Sequence, residues 1–120
     1  MKGKLRVIQP DGTITITNYD DRITLDDLQD AVEGFIEVVP YFFSIDDPEV
    51  GARVRCVAFC NEDGKLEAQP YNLAAQSLWQ DALDAFFADA LDKGRHVGNN
   101  DRLVGPVAIV TGDDEFLAAL

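Results

Sequence analysis

The chain has 120 residues, with 22 Asp or Glu against ten Lys or Arg, a formal net charge of −12 and a single histidine. That length predicts one domain over residues 1–120, and 47% hydrophobic residues mark a chain that folds. The balance excludes a basic footprint for nucleic-acid backbones or anionic lipid. No run approaches the roughly 18 apolar residues of a membrane span, and Met1–Lys4 leads into a strand-like run without a signal-peptide core.

Leu5–Ile8 reads as a short strand, followed by the turn Pro10-Asp11-Gly12, in which Pro presets φ and Gly accepts a positive one. From Thr13 to Tyr19 the chain alternates, with Ile14 and Ile16 on one side and Thr13, Thr15 and Thr17 on the other, which completes a β-hairpin. Thr24 is placed to cap a short helix with apolar positions at Leu25, Leu28 and Val32, acids in its first turn and Gly34 as its C-cap. Phe35–Val39 reads as a strand ended by Pro40. Arg53–Cys60 is another, closed by Asn61-Glu62-Asp63-Gly64, with Lys65-Leu66-Glu67 returning as a hairpin arm.

Asn72 then caps the longest helix. Its apolar pairs Leu78-Trp79, Ala82-Leu83, Phe86-Phe87 and Ala90-Leu91 repeat every four residues up to a stop near Gly94, with Asp81, Asp84, Asp89 and Asp92 facing away. Residues 93–102 form the most polar loop, and Gly105–Gly112 is a last buried strand. The predicted order, ββαββ(β)αβ, is an α+β domain with one mixed or antiparallel sheet covered by two helices.

The charge is concentrated. Residues 20–49 hold ten acids against one base, Arg22, and residues 81–92 hold four acids and no base. Within the first segment, Pro40-Tyr41-Phe42-Phe43-Ser44 places three aromatics in a row. They cannot all point inward, so at least one is expected at the surface or in an interface.

Catalytic chemistry finds little support. Cys56 and Cys60, four apart on a strand, stand roughly 13 Å from each other at about 3.3 Å per residue. That is too far for a disulfide, and they read as reduced core thiols of a cytoplasmic protein. His96 has no nucleophile in a recognisable context, and Gly94 and Gly98 lack the spacing of a phosphate-binding loop. The pairs Asp20-Asp21 and Asp46-Asp47 and the run Asp113-Asp114-Glu115 match no calcium loop. No catalytic residue, metal set or cofactor is assigned.

Three stretches carry a resemblance: Leu28–Val39; Asn61–Leu66 with Pro70–Ala75; and Leu103–Val110. In order and spacing they resemble the domain of unknown function family 3846, small proteins found in actinobacterial, phage and plasmid genomes. The resemblance spans roughly residues 4–115. It brings no activity and no catalytic residues. It implies the company of mobile elements, whose small acidic proteins often act on host or rival machinery.

The preferred functional reading is a non-enzymatic protein-binding factor, with DNA mimicry or an anti-defence role as its sharpest form. Its surface is expected at Asp26, Asp27, Asp30, Glu33, Asp46 and Asp47 with Tyr41, Phe42 and Phe43, against a protein partner with a basic surface. A homodimer contact is a further use for the aromatics, and direct contact with nucleic acid or membrane is not expected. The alternative is a small-ligand- or metal-binding domain using Asn61, Asp63, Lys65, Tyr71 and Asn72. An enzyme ranks behind both, for want of a nucleophile–base pair.

Overall fold

The computed structural model describes residues 2–88, 99 and 101–120. Its elements run β1 Gly3–Ile8, β2 Ile14–Tyr19, α1 Leu25–Val32, β3 Ile36–Val38, β4 Ser44–Asp47, β5 Ala52–Asn61, α2 Leu73–Phe86, β6 Val107–Gly112 and α3 Asp114–Ala118. The strands make one antiparallel six-stranded sheet in the order β2-β1-β6-β5-β3, with β4 also paired to β5. The fold is α+β, as the sequence predicts, with a third helix in addition.

Both faces of the sheet are covered, which is why the central strand β6 is apolar on both sides. Val107 and Ile109 pack with Trp79, Ala82 and Leu83 of α2, whereas Ala108 and Val110 pack with Leu28 and Val32 of α1 and Phe116 of α3. A strand buried on both faces loses the apolar–polar alternation of a half-exposed one.

Local chemistry explains the helix ends. Thr24 and Asp27 form a reciprocal capping box at α1, with Thr24 Oγ1 accepting from Asp27 N (3.1 Å) and Asp27 Oδ2 accepting from Thr24 N (3.0 Å). Asp113 Oδ1 accepts from the Phe116 amide (2.8 Å) at the start of α3, and that hydrogen bond, with one from Lys2, holds the Asp113 carboxyl below its ordinary value.

Four expectations change. The left-handed cap of α1 is Glu33 (φ 61°) and not Gly34. Gly34 is small for a packing reason instead: a Cβ there would stand 2.5 Å from Asn61 Nδ2, the group that donates to the Val32 and Glu33 carbonyls. Lys65-Leu66-Glu67 forms turns and not a hairpin arm, because β5 has no free edge for it: β6 lies on one side and β3 with β4 on the other. Helix α2 ends at Phe86 with Phe87 as its C-cap, short of Gly94. Strand β4 and helix α3 are additional. His96 and the acids Asp89 and Asp92 lie outside the described residues.

Candidate interaction surface

Strands β3 and β4 run along the same side of β5, but in different registers. Ile36 to Val38 pair with Asn61 to Phe59, and Ser44 to Asp47 pair with Arg55 to Ala52. The shift between the two ladders is two residues, so the segment between them bulges outward by that amount. A bulge of this kind re-aims the side chains it carries.

The bulge is Val39–Phe43, and it is pinned along its length. Val39 N–H donates to Ala58 O (2.9 Å), and the Trp79 indole N–H donates to Pro40 O (2.9 Å). Cys56 N–H donates to Phe43 O (2.8 Å), and its thiol reaches Phe42 O at 3.5 Å. Phe42 (1% exposed) enters the core on the α2 face. Tyr41 and Phe43 point out and remain about half exposed, at 48% and 47%.

Tyr41 holds a left-handed backbone (φ 59°), unusual for a bulky residue and costing on the order of 1 kcal/mol. The surrounding pins over-determine that conformation.

The two exposed rings meet the C-terminal end of α2. Tyr41 stands 6.0 Å from Phe43, 5.8 Å from Phe86 and 5.6 Å from Phe87, centroid to centroid. Phe43–Phe86 is 5.0 Å and Phe86–Phe87 is 4.8 Å, both edge to face. The result is a four-ring cluster at the surface in which Phe86 is also half exposed. Sequence reasoning assigned Phe86 and Phe87 to the core face of the helix and so missed them. The signal was the width of the apolar stripe: two adjacent positions about 100° apart cannot both face the sheet once the helix passes its edge.

The acids of residues 20–49 are distributed differently. Asp26, Asp27 and Asp30 belong to α1 and Glu33 is its C-cap, on the sheet face opposite the one that receives Phe42. Asp46 is exposed and pairs with Arg53 (3.4 Å). Asp47 is buried, with its Oδ2 3.1 Å from Arg6 Nη2, while Arg6 Nη1 donates to Thr111 Oγ1 (2.8 Å). The structure therefore brings Tyr41 and Phe43 together with Phe86 and Phe87, but does not join them to the α1 acids.

In the 61–72 region most side chains have local partners. Asn61 donates to the Val32 and Glu33 carbonyls and accepts from Asp63 N. Asn72 caps α2 through Ala75 N, and its Nδ2 donates to Ile8 O and Gly105 O. Lys65 pairs with Asp101, whose carboxyl is held below its ordinary value chiefly by that bond. Tyr71 lies under the Arg102 guanidinium at 5.7 Å. A cavity of about 110 Å³ opens here between Val39, Cys60, Lys65, Trp79, Asp101 and Leu103. Drug- and cofactor-sized ligands occupy roughly 300 Å³ or more, so this space suits a few waters or a very small molecule.

Both cysteines are free. Burial pushes the Cys56 thiol up to about 12 and the Cys60 thiol up to about 11. Because the thiolate is the reactive form, at pH 8 Cys60 should react with a disulfide reagent about 100-fold more slowly than an open thiol, and Cys56 more slowly still. Ellman kinetics on native protein check this; two fast thiols before denaturation would contradict the burial.

The family model for Domain of unknown function (DUF3846) matches residues 1–118. The chain belongs to this family. No curated protein and no solved structure matches it. The three stretches that carry the resemblance have structural roles in this DUF3846 domain. Leu28–Val39 spans α1 and β3, Asn61 locks the end of α1 to β5, Asn72 caps α2, and Leu103–Val110 leads into the central strand. No helix among the described residues is long and apolar enough to cross a membrane.

Proposed function

We propose that this DUF3846 domain is a non-enzymatic protein-binding factor whose contact surface is the ring cluster of Tyr41, Phe43, Phe86 and Phe87. The observation that carries the reading is the cluster itself: three half-exposed aromatics in mutual contact, one held on a left-handed backbone. Full burial of an exposed aromatic side chain is worth about 1.5–3 kcal/mol, so a partner that covers the exposed half of each ring recovers about 1 kcal/mol apiece, and aromatics are enriched at contact centres. The partner is a protein with an apolar knob for the rings and a basic surroundings, which a chain of net charge −12 attracts over distance.

Phosphate mimicry needs a continuous strip of carboxylates. Both carboxylates of β4 are paired, and α1 lies on the other face, so the aromatic cluster carries the proposal. A mobile-element setting, as the family resemblance implies, makes a host or rival protein the natural partner. The small-ligand alternative has in its support the 110 Å³ cavity beside Lys65 and a more open groove of about 580 Å³ lined by Asn61 and Asp63 with Asp30, Glu33 and Glu67. A thermal-shift screen with metal ions and small anions tests it, and a flat response would count against it.

The test of the main reading uses two variants. Phe43→Ser with Phe86→Ser removes rings that are already half in water, so stability should change by no more than about 1–2 kcal/mol. Tyr41→Gly removes a third ring and relieves the left-handed backbone. Affinity capture from lysate of the source cells, compared by mass spectrometry, should lose the same protein with both variants. An unchanged set of captured proteins would overturn the proposal.

A further inference from the structure

Among the described residues the sheet has two edges, and they are built differently. One is the β3–β4 side, made of strands of three and four residues, broken by the Pro40 bulge and carrying Glu37, Asp46 and Asp47. Short strands, proline, bulges and charge are the devices that keep an edge from pairing with another chain. The other edge is β2. It is six residues long, keeps an unbroken register with β1 from Gly3↔Tyr19 to Ile8↔Ile14, and contains neither charge nor proline. Ile14 to Asn18 are exposed throughout.

The hairpin turn fixes which backbone groups of β2 face outward. Gln9 N–H donates to Thr13 O (2.9 Å), so Gln9 and Thr13 are a hydrogen-bonded pair. In an antiparallel ladder such pairs alternate, which makes Thr15, Thr17 and Tyr19 the residues bonded to β1. The N–H and C=O groups of Ile14, Ile16 and Asn18 therefore point away from the sheet. On the far side of β1 the same alternation holds, since Asp113 N–H donates to Lys2 O (3.1 Å). Ile14 and Ile16, half exposed at 52% and 48%, lie on one side of the strand and supply apolar contact beside those groups.

Charge decides the occupant. Asp11 stands at one end of β2 and Asp20 and Asp21 at the other. A second copy of this chain paired antiparallel would satisfy all three outward residues only in the register centred on Ile16. That register sets Asp21 of each copy opposite Asp11 of the other, between two chains each of net charge −12. An extended segment with basic residues at both ends meets the same acids with attraction.

We infer that β2 is a docking edge for an extended segment of another protein, with alternating β-branched residues flanked by Lys or Arg, which adds to the sheet as a further strand. This is a second surface, independent of the ring cluster. Backbone hydrogen bonds to Ile14, Ile16 and Asn18 supply the affinity, and Asp11, Asp20 and Asp21 select the charge.

The probe is a labelled synthetic peptide, Lys-Lys-Thr-Val-Thr-Val-Thr-Lys-Lys, titrated with the full chain and followed by fluorescence anisotropy and amide exchange. Binding should raise protection at Ile14, Ile16 and Asn18, and should weaken about 10-fold or more as salt rises from about 0.01 M to about 0.1 M. Ile16→Pro removes an outward N–H that β1 does not use, and should abolish binding while circular dichroism stays unchanged. Should that variant not fold, the peptide N-methylated at alternate residues takes its place with the unaltered chain and should not bind.

Phe43→Ser with Phe86→Ser should leave peptide binding unchanged, which separates this edge from the ring cluster. No peptide binding, equal binding of a Glu-flanked peptide, binding that survives Ile16→Pro or N-methylation, or a peptide-free dimer already protected at these amides would each overturn the inference.

Discussion

Replacing Asn72 with alanine should lower the stability of the domain by about 3 kcal/mol, the sum of one lost cap and two buried acceptors each left a donor short. The side chain is fully buried and every polar atom on it is used. Oδ1 accepts from Ala75 N (3.0 Å), and Nδ2 donates to Ile8 O (2.8 Å) and Gly105 O (2.9 Å). One amide thus starts α2 and ties it to the end of β1 and to the approach to β6. Against a total of about 5–15 kcal/mol for a domain of this kind, the loss is a large fraction, and the melting temperature should fall by about 10 °C or more.

Asn72→Ser separates the two roles, since a hydroxyl still caps but no longer donates to both carbonyls. It should recover only the capping part, about 1 kcal/mol. Asn72→Asp keeps the cap acceptor and turns a donor into a second acceptor facing two carbonyl oxygens. It should be the worst of the three at neutral pH. Its folded pKa would be raised above the unfolded value near 3.9, so the carboxylate penalty is absent below that value and grows as pH rises toward the folded pKa. Urea titrations of the three variants at acid and neutral pH check the order. An Asn72→Asp variant no less stable than Asn72→Ser at pH 7 would contradict it.

Asn72 also shows what the sequence could and could not disclose. Its place before a periodic apolar run marks a cap, and Thr24 before Leu25 does the same for α1, because caps are chemistry between residues three apart. The β1–β2 hairpin is legible for a similar reason: the turn residues and the period-two alternation both lie within fifteen residues. The two bonds from Asn72 to Ile8 and Gly105 are not legible, since they span 64 and 33 residues.

Strand β4 failed for the same cause. Ser-Ile-Asp-Asp has little β-propensity of its own and is held by its ladder with β5 and by Arg6. The Lys65–Glu67 arm was misread because the local pattern of a hairpin says nothing of whether the neighbouring strand has an edge left. Helix α3, at five residues, is too short for periodicity to register. In the ring cluster the outward turn of some of Tyr41, Phe42 and Phe43 could be anticipated from their adjacency. Their meeting with Phe86 and Phe87 required the fold.

The second large effect is expected at Arg6. Its guanidinium is buried, paired with Asp47 at 3.1 Å and bonded to Thr111 at 2.8 Å. Arg6→Leu leaves the Asp47 carboxylate buried without its cation, which should cost about 3–5 kcal/mol. Asp47→Leu strands the guanidinium and also removes the acceptor of Glu49 N, at a similar cost.

The double variant Arg6→Leu with Asp47→Leu should recover most of that loss, because desolvating two charges offsets much of their attraction and well-packed apolar groups replace them without it. The pair would then act mainly to fix where β4 lies. Because β4 directly follows the bulge that carries Tyr41 and Phe43, amide exchange at Ser44–Asp47 should accelerate in the double variant even where global stability has returned. A double variant as unstable as either single variant, measured in a urea double-mutant cycle, would instead make the pair a net contributor to the fold, and one as unstable as the sum of the two would mean that Arg6 and Asp47 are not coupled at all.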